Sequence, residues 1–195
     1  MGVILMNEHK QRVTIAVVLI CLCTVLFFSG MLFKNQLRTV ALINNNISSL
    51  KKYEAKEKYT YSLPENWSTE EENFPGNVIL HHNSFKNDKV DMNGYIQIIN
   101  SKGSIQDLIG QDKENLNSKD VSAYSAKDIK LNGKNAKKIG YIEKLKNGKY
   151  YTKRVYYIQL SEGIIFKGCF NINSDNYNES LDSVYETIME SGKYM

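Results

Sequence analysis

Arginine is scarce in this chain of 195 residues, in which Arg12, Arg38 and Arg154 are the only three. Proteins that read nucleic acids favour arginine for bidentate contacts with bases, so the composition argues against a nucleic-acid partner. Lysine supplies the rest of the 25 basic residues, and the net charge is +4. We interpret this positive balance as a solvated lysine surface with a weak attraction to anionic lipid.

Cysteine is also rare, with three residues in the chain. Cys21 and Cys23 lie in an apolar run and Cys169 stands alone, so no disulfide framework is expected. We expect Cys169 to pack as a small hydrophobic side chain, because no partner base that would make it a nucleophile is evident nearby.

Sequence signatures of known chemistry are missing as well. The chain has no Cys-x-x-Cys pair, no glycine-rich phosphate loop and no Ser/His/Asp pattern. We therefore name no catalytic residue and no cofactor. We favour a protein that is not an enzyme, although catalytic residues can be dispersed along a sequence.

The longest apolar run, Val13–Phe33, contains no charged residue. As a helix it would cover about 31 Å, which matches the hydrocarbon thickness of a bilayer. A cleaved signal peptide has a shorter apolar core and small residues at its cleavage site, whereas the nearest candidate here begins with the bulky Phe28. A lipoprotein signal needs a small residue before its cysteine, and Ile20 precedes Cys21. We predict an uncleaved single-pass anchor and leave acylation of Cys21 or Cys23 open.

Basic residues flank the predicted anchor on both sides, with Lys10 and Arg12 before it and Lys34 and Arg38 after it. This count is nearly balanced, but a short positively charged amino-terminal tail usually stays inside the cell. We predict a cell-membrane protein whose anchor contacts membrane lipid and whose soluble domain lies outside the cytoplasm.

The remaining chain is long enough for one domain of ordinary size. Residues after the anchor mix apolar and polar types and fit a helical stripe imperfectly, so they are interpreted as a helical or semi-flexible stalk. The predicted organisation is a short tail over 1–12, the transmembrane anchor over 13–33, the stalk over 34–58 and a soluble domain over 59–195.

Alternating and apolar segments of the soluble domain predict strands at Tyr59–Leu63, Asn77–His82 and Gly94–Asn100. Ser104 followed by Asp107 resembles a capping box and predicts a helix start. Two Asn-Gly pairs, at 132–133 and 147–148, predict hairpins in a four-strand antiparallel meander.

The segment Asp175–Ser191 has a clean apolar stripe and predicts a closing helix. Gly168 lies between apolar positions of the last strand, which predicts that a helix or a bulge approaches it closely. The order of strands, helix, meander and helix predicts an α+β domain in which helices cover an antiparallel sheet.

The segment Tyr61–Trp67, YSLPENW, is similar to the start of PsbP-like domains, where a strand is followed by Pro, two residues and Trp. Later features agree with that family: the hairpin Leu131–Lys134 with a Gly-Tyr pair after it, a paired-tyrosine strand before Ser161–Gly163, and the closing helix. The chain thus resembles a PsbP-like domain over about Tyr59–Ser191. The resemblance implies an α/β/α sandwich that serves as an accessory or binding module, mostly without catalysis, and it transfers no site residue.

His81-His82 is the pair of residues that most suggests a metal site. Neighbours on a strand point to opposite faces, so the two cannot easily bind one ion. One of them could join a carboxylate of the following loop, such as Asp88 or Asp91. The acidic run Glu70–Glu72 has neither the glycine nor the spacing of a calcium loop, and we interpret it as a solvated loop.

Trp67 is the only tryptophan, and we expect it to fill the core. The tyrosines of the segment Tyr150–Tyr157 are expected to be half-buried in the sheet, with contact to a partner on the non-core face as the alternative.

These features favour a membrane-anchored, extracytoplasmic accessory or binding domain without catalysis. It would present a sheet or loop surface to a protein or cell-envelope component near the membrane. The alternatives are an envelope-acting enzyme and a metal-binding module, either of which would use His81 or His82 with nearby carboxylates. No oligomeric state is predicted.

Overall fold

The computed structural model describes the backbone of residues 2–195 and the side chains of residues 12–26, 29, 33 and 36–195. The chain divides into two compact units, residues 1–40 and 41–195. Helix α1 runs from Gly2 to Asn44 and accounts for the described part of the first unit.

The predicted membrane anchor falls in α1. Among the described side chains, no helix combines the length and the apolar character needed to cross a membrane. The predicted span Val13–Phe33 includes residues 27–28 and 30–32, whose side chains lie outside the described part, as do those of Lys10 and Lys34 at its flanks. The anchor and its orientation stay predictions.

The second unit contains two antiparallel sheets. Seven strands form the larger sheet in the order β3-β4-β5-β9-β8-β7-β6, and three form the smaller sheet in the order β1-β2-β10. Short 3-10 turns span Asp88–Val90 and Ser174–Asn176. The other elements are β1 Leu50–Ala55, β2 Tyr59–Pro64, β3 Ser68–Glu72, β4 Ile79–Asn87, β5 Met92–Asn100, α2 Ile105–Glu114, β6 Asp120–Leu131, β7 Lys134–Lys144, β8 Tyr150–Ser161, β9 Ile164–Asn173, α3 Ser180–Glu190 and β10 Lys193–Tyr194.

Helices cover both faces of the larger sheet. Because side chains alternate along a strand, Val155 and Tyr157 of β8 point to the face under α2, and Tyr156 points to the face under α3. We call these the α2 face and the α3 face. The α3 face packs against α3 and the smaller sheet, with Leu181, Val184, Tyr185, Ile188 and Met189 buried. The predicted α+β class, an antiparallel sheet covered by helices, is confirmed.

The two predicted hairpins exist but use different turns. Asn132 and Gly133 have φ angles of 48° and 76°, which is the type I′ geometry expected for Asn-Gly. At the second hairpin, Gly148 has a φ of 84° and donates its amide N–H to the Leu145 carbonyl, whereas Asn147 does not have a positive φ. That loop is therefore a tight turn closed by one left-handed glycine.

The structure differs from the prediction in the segment called a stalk. Residues 50–55 form β1 and pair with β2, and the Tyr53 ring stacks on Tyr61 at a centroid distance of 5.4 Å. The hairpin that joins the two strands turns at Lys56 and Glu57, with φ angles of 52° and 56°. Such turns normally carry Asn or Gly, so no local signal predicts this hairpin.

Two further predictions need correction. The acidic run Glu70–Glu72 is not a loop, because its backbone pairs with β4 as part of the edge strand β3, although the side chains of these residues are exposed. The closing helix begins at Ser180 and not at Asp175, because Tyr177 adopts an extended conformation that separates the 3-10 turn from α3.

Gly168 has the close neighbour that the sequence predicts. A Cβ at this position would lie 2.4 Å from Sδ of Met189 in α3, so the missing side chain allows α3 to rest directly on β9. The predicted capping box of α2 is also present, since Ser104 Oγ accepts from the Asp107 amide and Asp107 accepts from the Ser104 amide.

A substitution at Gly94 tests the pairing of β5 with β9. A Cβ there would lie 2.0 Å from the Cys169 carbonyl oxygen, which cannot move without disturbing the pairing of β5 with β9. We expect Gly94→Ala to lower the free energy of unfolding by about 3 kcal/mol. Urea unfolding of the full chain, followed by the fluorescence of the buried Trp67, measures this change.

Gly110→Ala is the matched control for Gly94→Ala. Gly110 lies in α2, and an added Cβ there would meet no atom within 4 Å. This substitution should raise the free energy of unfolding by about 0.5 to 1 kcal/mol through helix propensity. Equal urea midpoints for Gly94→Ala and the wild type would contradict the described strand pairing.

Candidate functional site

His81 and His82 point to opposite faces of β4, as predicted. On the α3 face, Nε2 of His81 hydrogen-bonds with the Tyr61 hydroxyl at 2.9 Å. On the α2 face, Nδ1 of His82 hydrogen-bonds with the Gln97 side chain at 2.9 Å, and its Nε2 lies 3.7 Å from Glu72. Each histidine therefore has its own local partners, and the two share none of them.

The alternative in which one histidine joins Asp88 or Asp91 does not fit the strand pairing. Strands β4 and β5 pair antiparallel, so His82 lies opposite Gln97, whereas Asp88 and Asp91 lie at the turn. Five residues of extended strand separate His82 from that turn, which is roughly 17 Å. Across the residues with described side chains, no three His, Cys, Asp or Glu side chains lie close enough to hold one metal ion.

Asp91 has a structural role instead. Its carboxylate accepts hydrogen bonds from the Tyr151 hydroxyl at 2.9 and 3.0 Å and from the Asn173 side chain at 3.2 Å. These hydrogen bonds lower the pKa of Asp91 and keep it ionised. Asp91 thereby joins the β4–β5 turn to the ends of β8 and β9.

A cavity of about 190 Å³ lies beneath α2. We call it the α2 cavity. Its aliphatic lining comes from Ile109 and Leu116 of the helical segment and from Ile139 and Val155 of the sheet. The aromatic and polar lining consists of Tyr95, Tyr124, Tyr141, Tyr157, Cys169, Asp112, Asn115, Lys113 and Lys119.

The sequence builds this cavity by strand alternation and by the position of α2. Tyr95, Cys169 and Val155 lie side by side on β5, β9 and β8, because Tyr95 pairs with Cys169 and Cys169 pairs with Val155. All three therefore point to the α2 face. Helix α2 buries only Ile109 fully, so it covers the sheet without filling the space beneath it.

Two ion-pair groups surround the α2 cavity. The Lys167 ammonium lies 2.6 Å from Oδ2 of Asp112, which also accepts a hydrogen bond from the Tyr157 hydroxyl. The other carboxylate, Glu143, pairs with Lys153 and lies 3.3 Å from the Lys119 ammonium. Each carboxylate thus has at least one lysine partner.

Electrostatics keep the lining groups in fixed protonation states. Burial raises the pKa values of Tyr95, Tyr141 and Tyr157, so their hydroxyls stay neutral at physiological pH. Burial also raises the pKa of the Cys169 thiol, against the opposing effect of Lys167 and Lys153. This thiol is therefore neutral and poorly nucleophilic.

Glu143 behaves differently from the tyrosines. Burial opposes its ionisation, but the hydrogen bonds and charges of Lys153 and Lys119 outweigh that effect and lower its pKa. Glu143 is therefore a carboxylate at neutral pH. Two lysines balance its charge, so this carboxylate is not free to act as a general base.

Several side-chain donors that line the α2 cavity, the exposed Asn115 amide among them, have no hydrogen-bond partner within residues 36–195. Among residues 36–195, the hydroxyls of Tyr124 and Tyr141 and the ammonium of Lys113 have no hydrogen-bond partner. The Lys113 ammonium lies 5.5 Å from the centre of the Tyr124 ring, which in turn stacks on Tyr141 at 6.5 Å. These three donors therefore belong to one cluster.

The other aromatic predictions have clear outcomes. Trp67 is 5% exposed and stacks on Phe85, so it fills the core as predicted. Tyr156 and Tyr157 are fully buried, whereas Tyr150 is exposed. Sequence reasoning missed Tyr95, Tyr124 and Tyr141. Tyr124 and Tyr141 lie on the two strands of the Asn132-Gly133 hairpin, whereas Tyr95 on β5 joins them only through the strand order β5-β9-β8-β7.

Comparison with solved structures identifies the fold. The structure is similar to cyanobacterial PsbP (CyanoP) from Synechocystis sp. PCC 6803, with a TM-score of 0.54 and 13% sequence identity, over 76% of this chain and 94% of that chain. It is also similar to the Ran-binding protein Mog1p of Saccharomyces cerevisiae, with a TM-score of 0.48 and 13% identity, over 73% and 92% of the two chains. No family profile and no curated protein matches the sequence. The fold is PsbP-like, as predicted, and the likeness extends to fold alone.

The two histidines of β4 should make the free energy of unfolding depend on pH. Burial lowers the pKa values of His81 and His82 below the ordinary value of 6.5, against the opposing charges of Glu71 and Glu72 respectively. The unfolded chain therefore binds protons more readily, so stability is complete above about pH 6.5 and decreases as the pH falls below it.

We expect His82→Gln to reduce the slope of unfolding free energy against pH between about pH 7 and pH 5. Urea unfolding at several pH values measures the slope. His9→Gln, a change in the first unit, is the control and should keep the wild-type slope. A His82→Gln slope equal to that of the wild type would show that this histidine is not held neutral.

Proposed function

We propose that this PsbP-like chain is a membrane-anchored binding domain without catalytic activity, and that the α2 cavity is its binding site. The observation that carries the proposal is the cluster of unused donors at Lys113, Tyr124 and Tyr141 within a cavity of about 190 Å³. A concave site with a largely hydrophobic and aromatic lining and a few convergent polar groups is the usual form of a ligand pocket.

The state of the reactive groups supports binding over catalysis. The Cys169 thiol is held neutral by burial, and the charges of Asp112 and Glu143 are matched by lysines. A general base or a nucleophile needs a free lone pair directed at its substrate. Neutral phenols and lysine ammonium groups instead donate hydrogen bonds, which is how a site recognises a ligand without transforming it.

The proposed location follows from the sequence. The charge-free run Val13–Phe33 would anchor the chain in membrane lipid, and the short basic tail before it would stay inside the cell. The domain would then lie outside the cytoplasm, close to the membrane, and its partner would be a protein or a component of the cell envelope.

Site-specific crosslinking tests the binding site. A photoreactive phenylalanine analogue in place of Tyr124, which is 38% exposed at the cavity, should form a defined adduct when intact membranes are irradiated. The same analogue in place of Tyr194, which is 53% exposed and does not line the cavity, is the matched control and should form no such adduct. Mass spectrometry of the purified chain detects the adducts. Equal adducts at both positions, or none at either, would contradict the proposed site.

Labelling of the carboxyl terminus tests the proposed orientation. A reactive tag after Met195 should react with a membrane-impermeant reagent in intact cells. The same tag placed before the first residue should react only after lysis, and it serves as the control. A Met195 tag that can be labelled only after lysis would overturn the extracytoplasmic placement.

A further inference from the structure

The charges around the α2 cavity are unequal. Lys113 and Lys119 line it, and Lys153 and Lys167 belong to the ion pairs beside it, whereas Asp112 and Glu143 are the carboxylates of the same groups. Four lysines therefore face two carboxylates. The excess positive charge favours an anionic occupant, because opposite charges attract most strongly where water is partly excluded.

The unused donors show where the anionic group of an occupant would bind. The Lys113 ammonium and the Tyr141 hydroxyl have no hydrogen-bond partner among residues 36–195, and both line the cavity. Tyr141 is only 8% exposed, and its raised pKa keeps the hydroxyl proton in place to be donated. Among the described residues, the buried side-chain oxygens without a partner are those of Tyr156 and Glu143, so the Tyr141 hydroxyl reaches solvent and can donate to the carboxylate of an occupant in place of water.

The walls of the cavity indicate the remainder of the occupant. Tyr124 and Tyr141 stack with an interplanar angle of 22°, and Tyr95 and Tyr157 line the same space. Aromatic rings pack best against other flat rings in offset or edge contacts. A volume of about 190 Å³ admits a small ring compound but not a folded peptide segment.

We propose that the α2 cavity binds small aromatic monocarboxylates, with the ring against the tyrosine walls and the carboxylate on the side of Lys113, Lys119 and Tyr141. This inference rests on the proposed function, since it names the ligand class of the same site. Lys119 lines the cavity while its ammonium contacts Glu143 at 3.3 Å, so it adds positive charge beside the bound carboxylate.

Benzoate and benzamide are the probes, because they share size and shape and differ in charge. Each is titrated calorimetrically into the full chain held in phosphatidylcholine nanodiscs, and empty nanodiscs give the background. Benzoate should bind at least about tenfold more tightly than benzamide, as expected when charge-assisted hydrogen bonds replace neutral ones. Equal affinities would overturn the anionic ligand class but leave the cavity as a binding site.

Substitutions locate the bound carboxylate. The double variant Lys113→Gln/Lys119→Gln should weaken benzoate at least about tenfold and leave benzamide within about twofold. Lys127→Gln is the control, because this residue is exposed on β6 outside the cavity and should change neither affinity. Urea unfolding of each variant verifies that the fold is kept. Benzoate binding unchanged in the double variant would overturn the proposed position.

Calorimetry tests the ligand class, and crosslinking tests the binding site, so the two proposals can fail separately. If neither probe binds at millimolar concentration, the inference about aromatic acids is wrong, and the Tyr124 crosslink then decides whether the cavity is a binding site at all. If the crosslink also fails, the proposed function is wrong as well.

Discussion

The ion pair between Asp112 and Lys167 determines the form of the α2 face. Lys167 projects from the middle of β9 with only 9% of its side chain exposed, so it needs an anionic partner. Asp112 of α2 is that partner, and it also accepts a hydrogen bond from Tyr157. Helix α2 is held over the sheet by this polar contact near its end and by the packing of Ile105, Leu108 and Ile109, and the space that is left forms the α2 cavity.

The α3 face is built in the opposite way. Five apolar residues of α3 are buried, and Gly168 allows the helix to approach the sheet closely. Arg154 and Lys138 of the sheet pair with Asp182 at 3.1 and 2.9 Å at the edge of this packing. The α3 face thus carries most of the core, whereas the α2 face keeps the α2 cavity. We propose that a ligand binds on the α2 face.

Local signals in the sequence predicted much of the fold. Trp67 in the core, the Ser104–Asp107 cap, the Asn132-Gly133 turn and the contact at Gly168 each depend on a few neighbouring residues, and each is present. The first hairpin was missed because Lys56 and Glu57 adopt left-handed conformations without the residues that usually mark them.

The candidate site could not be predicted for a related reason. Tyr95, Tyr124 and Tyr141 belong to β5, β6 and β7, and Asp112 meets Lys167 only after α2 folds onto β9. The Asn132-Gly133 turn sets the register of β6 against β7, but the position of β5 and of α2 relative to these strands depends on strand order, which no local pattern encodes. The histidine pair had the stronger local signal, yet the antiparallel pairing of β4 with β5 separates it from the carboxylates of the turn.

If the α2 cavity is a binding site, it should be occupied in the cell, and the reactivity of Cys169 reports its occupancy. Cys169 is the one cysteine of the second unit, and it lines the cavity. The rate of Cys169 alkylation by N-ethylmaleimide should be measured by mass spectrometry in freshly isolated membranes and again in the purified, extensively dialysed full chain. Occupancy predicts slower alkylation in the membranes and faster alkylation after dialysis. The same rate in both preparations would contradict occupancy of the cavity.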